Sequence, residues 1–71
     1  MSSLSLPQIA GSKLRILIKE NYDSQQEFAD DYNLELRTVN RYINEGINKL
    51  DLIQELADFF KVDPKFFITL E

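Results

Sequence analysis

One short stretch carries side chains that can read a pattern of hydrogen bonds. Leu36, Arg37, Asn40, Arg41 and Asn44 fall at i, i+1, i+4, i+5 and i+8, so on a helix they share one face. An arginine can bridge guanine O6 and N7, and an asparagine can bridge adenine N6 and N7. That is the chemistry of base-pair edges in a major groove. Gln25 stands where a preceding helix would begin. Free amides and the helix dipole favour an anion such as phosphate at that position. A solvated helix also displays Arg and Asn, so the spacing by itself establishes a polar helical face and no more.

Other chemistries are poorly provided for. The 71 residues contain no cysteine and no histidine, which excludes a disulfide framework, thiol catalysis and imidazole triads. No carboxylate pair is marked by a motif, and there is no glycine-rich phosphate loop. We expect no enzyme activity, no cofactor and no metal. Twelve acids against eight bases give a net charge of −4, which is not the usual basic footprint of a nucleic-acid binder. No apolar run reaches the ~18–20 residues of a membrane span. The opening residues lack the basic start and apolar stretch of a signal peptide, so a cytoplasmic location is expected.

With 44% apolar and 28% charged residues, two glycines and two prolines, the composition favours one small helical domain. Residues 1–8 read as a flexible arm and 9–71 as the domain, with no internal repeat. A first helix is expected from Ser12 to Asn21, with Leu14, Leu17, Ile18 and Tyr22 as its apolar stripe and Arg15 and Lys19 together on another side. Ser24-Gln25-Gln26-Glu27 is a capping box that opens a second helix over 24–32, burying Phe28, Ala29 and Tyr32 and closing near Asn33. The third, over 36–44, buries Val39, Tyr42 and Ile43 and leaves Leu36 exposed. Gly46-Ile47-Asn48 breaks it, with Asn48 as the next N-cap. The fourth helix, 49–60, buries Leu50, Ile53, Leu56, Ala57 and Phe60. Asp63-Pro64 restarts a short fifth that offers Phe66, Phe67 and Ile68 to the core. Two short helices joined by a tight turn, the second with a polar outer face, have the outline of a helix-turn-helix.

Residues 13–68 resemble the lambda-repressor-like (Xre) helix-turn-helix family. Ser24-Gln25-Gln26-Glu27-Phe28-Ala29 is similar to that family's Ser-Gln-x-x-Leu-Ala. Asn33-Leu34 stands where the family has Gly-Val, Thr38-Val39-Asn40-Arg41-Tyr42 matches its recognition helix, and Leu56-Ala57-x-x-Phe60-x-Val62-Asp63-Pro64 resembles its fourth-helix ending. The resemblance implies an all-α compact bundle of five short helices with a central helix-turn-helix. It also implies a transcriptional regulator, a repressor, on double-stranded operator DNA. On that reading Arg37, Asn40, Arg41 and Asn44 contact bases, while Gln25, Thr38, Asn48 and Lys49 hold the DNA backbone. A buried Arg–Glu pair common in the family falls here on Ile18 and Ile43. Losing both partners together is the tolerable way to lose a buried ion pair.

Three departures bear on function. Glu35 replaces the usual Ser or Thr cap and would repel a nearby phosphate. Leu36 stands at the groove-facing end, where it offers an apolar contact. The usual proline after the third helix is missing. The alternative use of the same fold is a protein-interaction module: partner docking, an antitoxin-like element or a DNA mimic. Leu36, Leu52, Phe59 and Phe66 are the candidate dimer or partner contacts. A two-fold homodimer would suit a palindromic operator. The chain reads equally as a whole small regulator or as the first domain of a longer one.

Overall fold

A computed structural model describes residues 6–68, with the Leu6 side chain left aside. It contains α1 (Leu6–Asn21), α2 (Gln25–Tyr32), α3 (Leu36–Glu45), α4 (Leu50–Phe60) and a closing 3-10 turn, Pro64–Ile68. There is no strand among the described residues, and the all-α expectation holds. Nor is any described helix long and apolar enough to cross a membrane. The expected fifth helix is the 3-10 turn. Asp63 starts it: its carboxylate accepts the Lys65 amide at 2.9 Å and its carbonyl accepts the Phe66 amide at 2.9 Å.

α2 begins and ends by local chemistry. The Ser24 hydroxyl accepts the Glu27 amide at 3.2 Å, and Glu27 Oε1 accepts the Asp23 amide at 3.1 Å. Asn33 closes the helix at φ 65°, and the Leu34 amide donates back to the Ala29 carbonyl at 2.8 Å. α4 ends in the same way, with Lys61 at φ 61° and the Val62 amide on the Ala57 carbonyl at 2.9 Å. Leu34 and Val62 then pack against the core. The two segments even share Gln-Glu-x-Ala-Asp, Gln26 to Asp30 and Gln54 to Asp58. This local echo is far too short to build a repeat architecture.

α1 departs most from the sequence reading. It starts at Leu6, so residues 6–8 are helical where an arm was expected; residues 1–5 of that arm lie outside the described residues. Pro7 suits a first helical turn, where its missing N–H costs nothing. Its carbonyl accepts the Ile47 amide at 2.9 Å, which ties the start of α1 to the α3–α4 connection. Both glycines of the chain lie at this crossing. A Cβ on Gly11 would meet the Tyr42 carbonyl oxygen at 2.5 Å and that of Ile43 at 3.0 Å. A Cβ on Gly46 would meet Pro7 backbone at 2.6 Å. Gly46 also has φ 104° and ψ 173°, a region open essentially to glycine alone. The α1 backbone therefore lies directly on the C-terminal end of α3 because two side chains are absent.

Around that crossing the core collects Leu14, Leu17 and Ile18 of α1, Phe28 and Ala29 of α2, Val39 of α3, Ile53, Leu56 and Ala57 of α4, and Phe67. Ile18 is buried in this core and Ile43 is half-buried against it. The Phe28 ring stacks on Tyr32 at 5.4 Å and on Phe60 at 5.5 Å. Several expected placements change. Leu50, expected in the core, is 69% exposed, whereas Ile47 in the connection is buried. Lys49, not Asn48, is the N-cap of α4, and its side chain makes no capping bond. Ile68 is exposed while Phe67 is fully buried. Leu36 is half-buried, not exposed. Lys13 is buried, with Nζ 4.8 Å from the centre of the half-buried Phe66 ring, where a cation gains from the ring's negative face.

Candidate nucleic-acid interface

α3 is the most sharply amphipathic helix of the chain. Val39 is fully buried and Tyr42 and Ile43 flank it against the core. With that face pinned, the 100° advance per residue turns Arg37, Asn40, Arg41 and Asn44 outward, and all four are exposed. Thr38 is half-buried beside them. Glu35 caps the helix through its backbone: its carbonyl accepts the Thr38 amide at 3.0 Å and the Val39 amide at 3.2 Å. Its carboxylate makes no capping bond and instead lies 3.9 Å from Arg37 Nε. Both side chains are largely exposed, so this pair holds Arg37 only weakly.

Two open clefts hold basic groups, one between α1 and the start of α2 and the other beside the second half of α3. The first, of about 450 Å³, is lined by Arg15, Lys19, Asp23, Ser24 and Gln25 among others. It places two cations of α1 beside the first turn of α2. Ser24 satisfies the Glu27 amide there, and the Gln25 and Gln26 amides have no acceptor within the helix. Donors, dipole and positive charge converge on one spot, which suits a phosphate oxygen. The second cleft, of about 340 Å³, joins Arg41 of α3 to Asn48 and Lys49 of the connection, with Glu45 and Leu52 also in its wall. Gln25 is half-buried, while Asn48 and Lys49 are exposed.

The structure thus unites Arg41 with Asn48 and Lys49, and places Gln25 in a separate cleft with two residues the sequence reading did not assign to the site. Arg15 and Lys19 share a helix face by their spacing. That spacing was the available signal, and only the α1–α2 packing shows what the face adjoins. The proposed apolar contacts separate as well. Leu52 and Phe66 are half-buried against the core, whereas Phe59 is 37% exposed and edge-on to Tyr32 at 4.9 Å.

Beyond Glu35, Glu45 and Asp23, which lie among these basic groups, a cluster of acids stands apart. Tyr22, Glu27, Asp30 and Asp31 line one open face. There the Tyr22 hydroxyl donates to Asp31 at 2.6 Å. Desolvation, then that bond and the carboxylate charge, push the Tyr22 phenol up to about 12. The Tyr32 phenol is also raised, first by burial and then by Glu55.

Compared with known proteins, the chain matches no family model, no curated protein and no solved structure.

Proposed function

We propose that this chain is a sequence-specific DNA-binding domain of the lambda-repressor-like helix-turn-helix kind, acting as a transcriptional repressor. One observation carries the reading: Arg37, Asn40, Arg41 and Asn44 are all exposed on α3, and Arg41 shares a cleft with Asn48 and Lys49. In this mechanism α3 enters the major groove and those four side chains read base edges. Gln25 with Arg15 and Lys19 holds a phosphate on one side of the groove. Thr38, Asn48 and Lys49 hold the backbone on the other. The acids Glu27, Asp30 and Asp31 sit on another face, so a net charge of −4 is compatible with a locally positive one. With few phosphate contacts, specificity rests mainly on base contacts and on pairing of two copies at a palindromic operator.

The test is an amide NMR titration with short duplex DNA at low salt. Shifts at Arg15, Lys19, Gln25, residues 36–44 and Asn48 to Lys49, reversed by added salt, are the expected result. No shifts at high DNA concentration would overturn the reading. A second use, docking of a protein partner, draws support from the highly exposed Leu50 beside Lys49 and from the Glu35 carboxylate beside Arg37. It predicts binding that is largely insensitive to salt.

A further inference from the structure

A cleft of about 480 Å³ lies between the end of α1, the end of α2 and the end of α4, lined by Asn21, Tyr22, Asp31, Phe59, Phe60 and Lys61. Its walls are aromatic rings set at right angles. Phe59 and Phe60 meet at 5.3 Å and 89°, and Tyr22 and Phe60 at 6.4 Å and 83°. Rings in this arrangement present a corner in which a ring face, negative by its quadrupole, adjoins a ring edge. Phe59 is 37% exposed. One carboxylate, Asp31, stands in the same cleft and is held by the Tyr22 hydroxyl at 2.6 Å.

An aromatic corner with a fixed carboxylate is complementary to a flat organic cation. A guanidinium can lie on a ring face and still present two N–H groups to a carboxylate, which an ammonium cannot do in the same plane. The neighbouring face adds charge complementarity beyond a single cation: it shares Tyr22 and Asp31 with the cleft and continues into Glu27 and Asp30. We propose that this cleft binds an arginine side chain borne by a basic peptide segment of a partner protein. The guanidinium lies against Phe59 and pairs with Asp31, and further basic residues of the segment follow the acidic face. Lys61 is the one cation in the lining and is exposed, so it opposes the ligand without blocking it. The inference does not rest on DNA binding, since Asp31 and Phe59 belong to no part of the surface proposed for DNA.

The experiment is a 15N NMR titration of the whole chain with the peptide acetyl-Gly-Arg-Gly-Arg-Gly-amide. The matched lysine peptide and acetyl-arginine amide serve as comparisons. Saturable shifts at Asp31, Phe59, Phe60 and Lys61 are expected, with the lysine peptide and the single arginine both binding more weakly. Asp31→Asn should weaken the arginine peptide about tenfold through loss of a charge-assisted contact. Lys61→Gln should tighten it about twofold, which a merely structural role for the cleft would not produce. The Lys61 variant also keeps the test decisive if Asp31→Asn disturbs the fold. Shifts at Asp51 and Glu55 as large as those at Asp31 and Phe59 would overturn the proposal. Equal binding of the lysine peptide or of acetyl-arginine amide would overturn it too.

Discussion

Replacing Gly11 by alanine is the sharpest test of how α1 and α3 are held together. On helix propensity alone the change should stabilise the chain by about 1 kcal/mol, since Gly11 lies inside α1. The crossing opposes this. The new Cβ would stand 2.5 Å from the Tyr42 carbonyl oxygen, where ordinary contact begins near 3.4 Å, so α1 must withdraw by about 0.9 Å. Both near neighbours are backbone oxygens at the end of α3, which no rotamer change can move aside. Overpacking of this kind costs about 1–3 kcal/mol, and a rigid neighbour argues for the upper end. Subtracting the propensity gain leaves a net loss of about 2 kcal/mol, or a fall in Tm of roughly 8–16 °C for a domain this small. Thermal and urea melts would measure it, with Ser12→Ala on the exposed side of the same helix as the control. Gly46→Ala should cost at least as much, through its φ of 104° and its contact with Pro7. The double variant should lose less than the sum, because both open the same crossing. An unchanged or raised Tm for Gly11→Ala would falsify the close crossing and the α1 placement built on it.

Other consequences can be checked separately. Against an operator selected from random duplexes, Arg37→Ala or Arg41→Ala should cost about 1–3 kcal/mol and relax preference at one base position. Arg15→Ala and Lys19→Ala should instead weaken every sequence alike and flatten the salt dependence by about one unit of slope per lost phosphate contact, as anisotropy across a salt series would show. Lys61→Gly should raise stability by about 1 kcal/mol in urea melts, since a lysine at φ 61° carries a penalty that glycine does not. Asn33→Gly should gain less, because asparagine tolerates that region better. In alkaline titration Tyr22 should ionise near 12 against an unfolded value of 10.0. Its folded value is the higher one, so its contribution is complete below pH 10 and is lost as pH rises towards 12. A Tyr22→Phe chain whose stability falls just as steeply over that range would place the loss in another group.

Much of the chain is decided within a few residues and was legible without coordinates. Ser24 and Glu27 cap α2, Asn33 closes it, and Asp63-Pro64 starts the final turn, because each device joins groups at most four positions apart. The outward face of α3 follows in the same way, since burying Val39 dictates where Arg37, Asn40, Arg41 and Asn44 point. What joins distant segments was not legible. Gly11 and Pro7 look like helix breakers to a local reading. In the fold they are where α1 meets Gly46 and Ile47. Leu50 has the spacing of a core residue yet is exposed, while Ile47 of an irregular connection is buried. Arg15 and Lys19 form an ordinary polar stripe until packing sets them beside the first turn of α2. Periodicity says which side of each helix seeks burial, and so the sequence by itself determined the helices and their faces. Which backbones approach closely enough to touch depends on steric fit between residues far apart in the chain, and only the tertiary structure decided that.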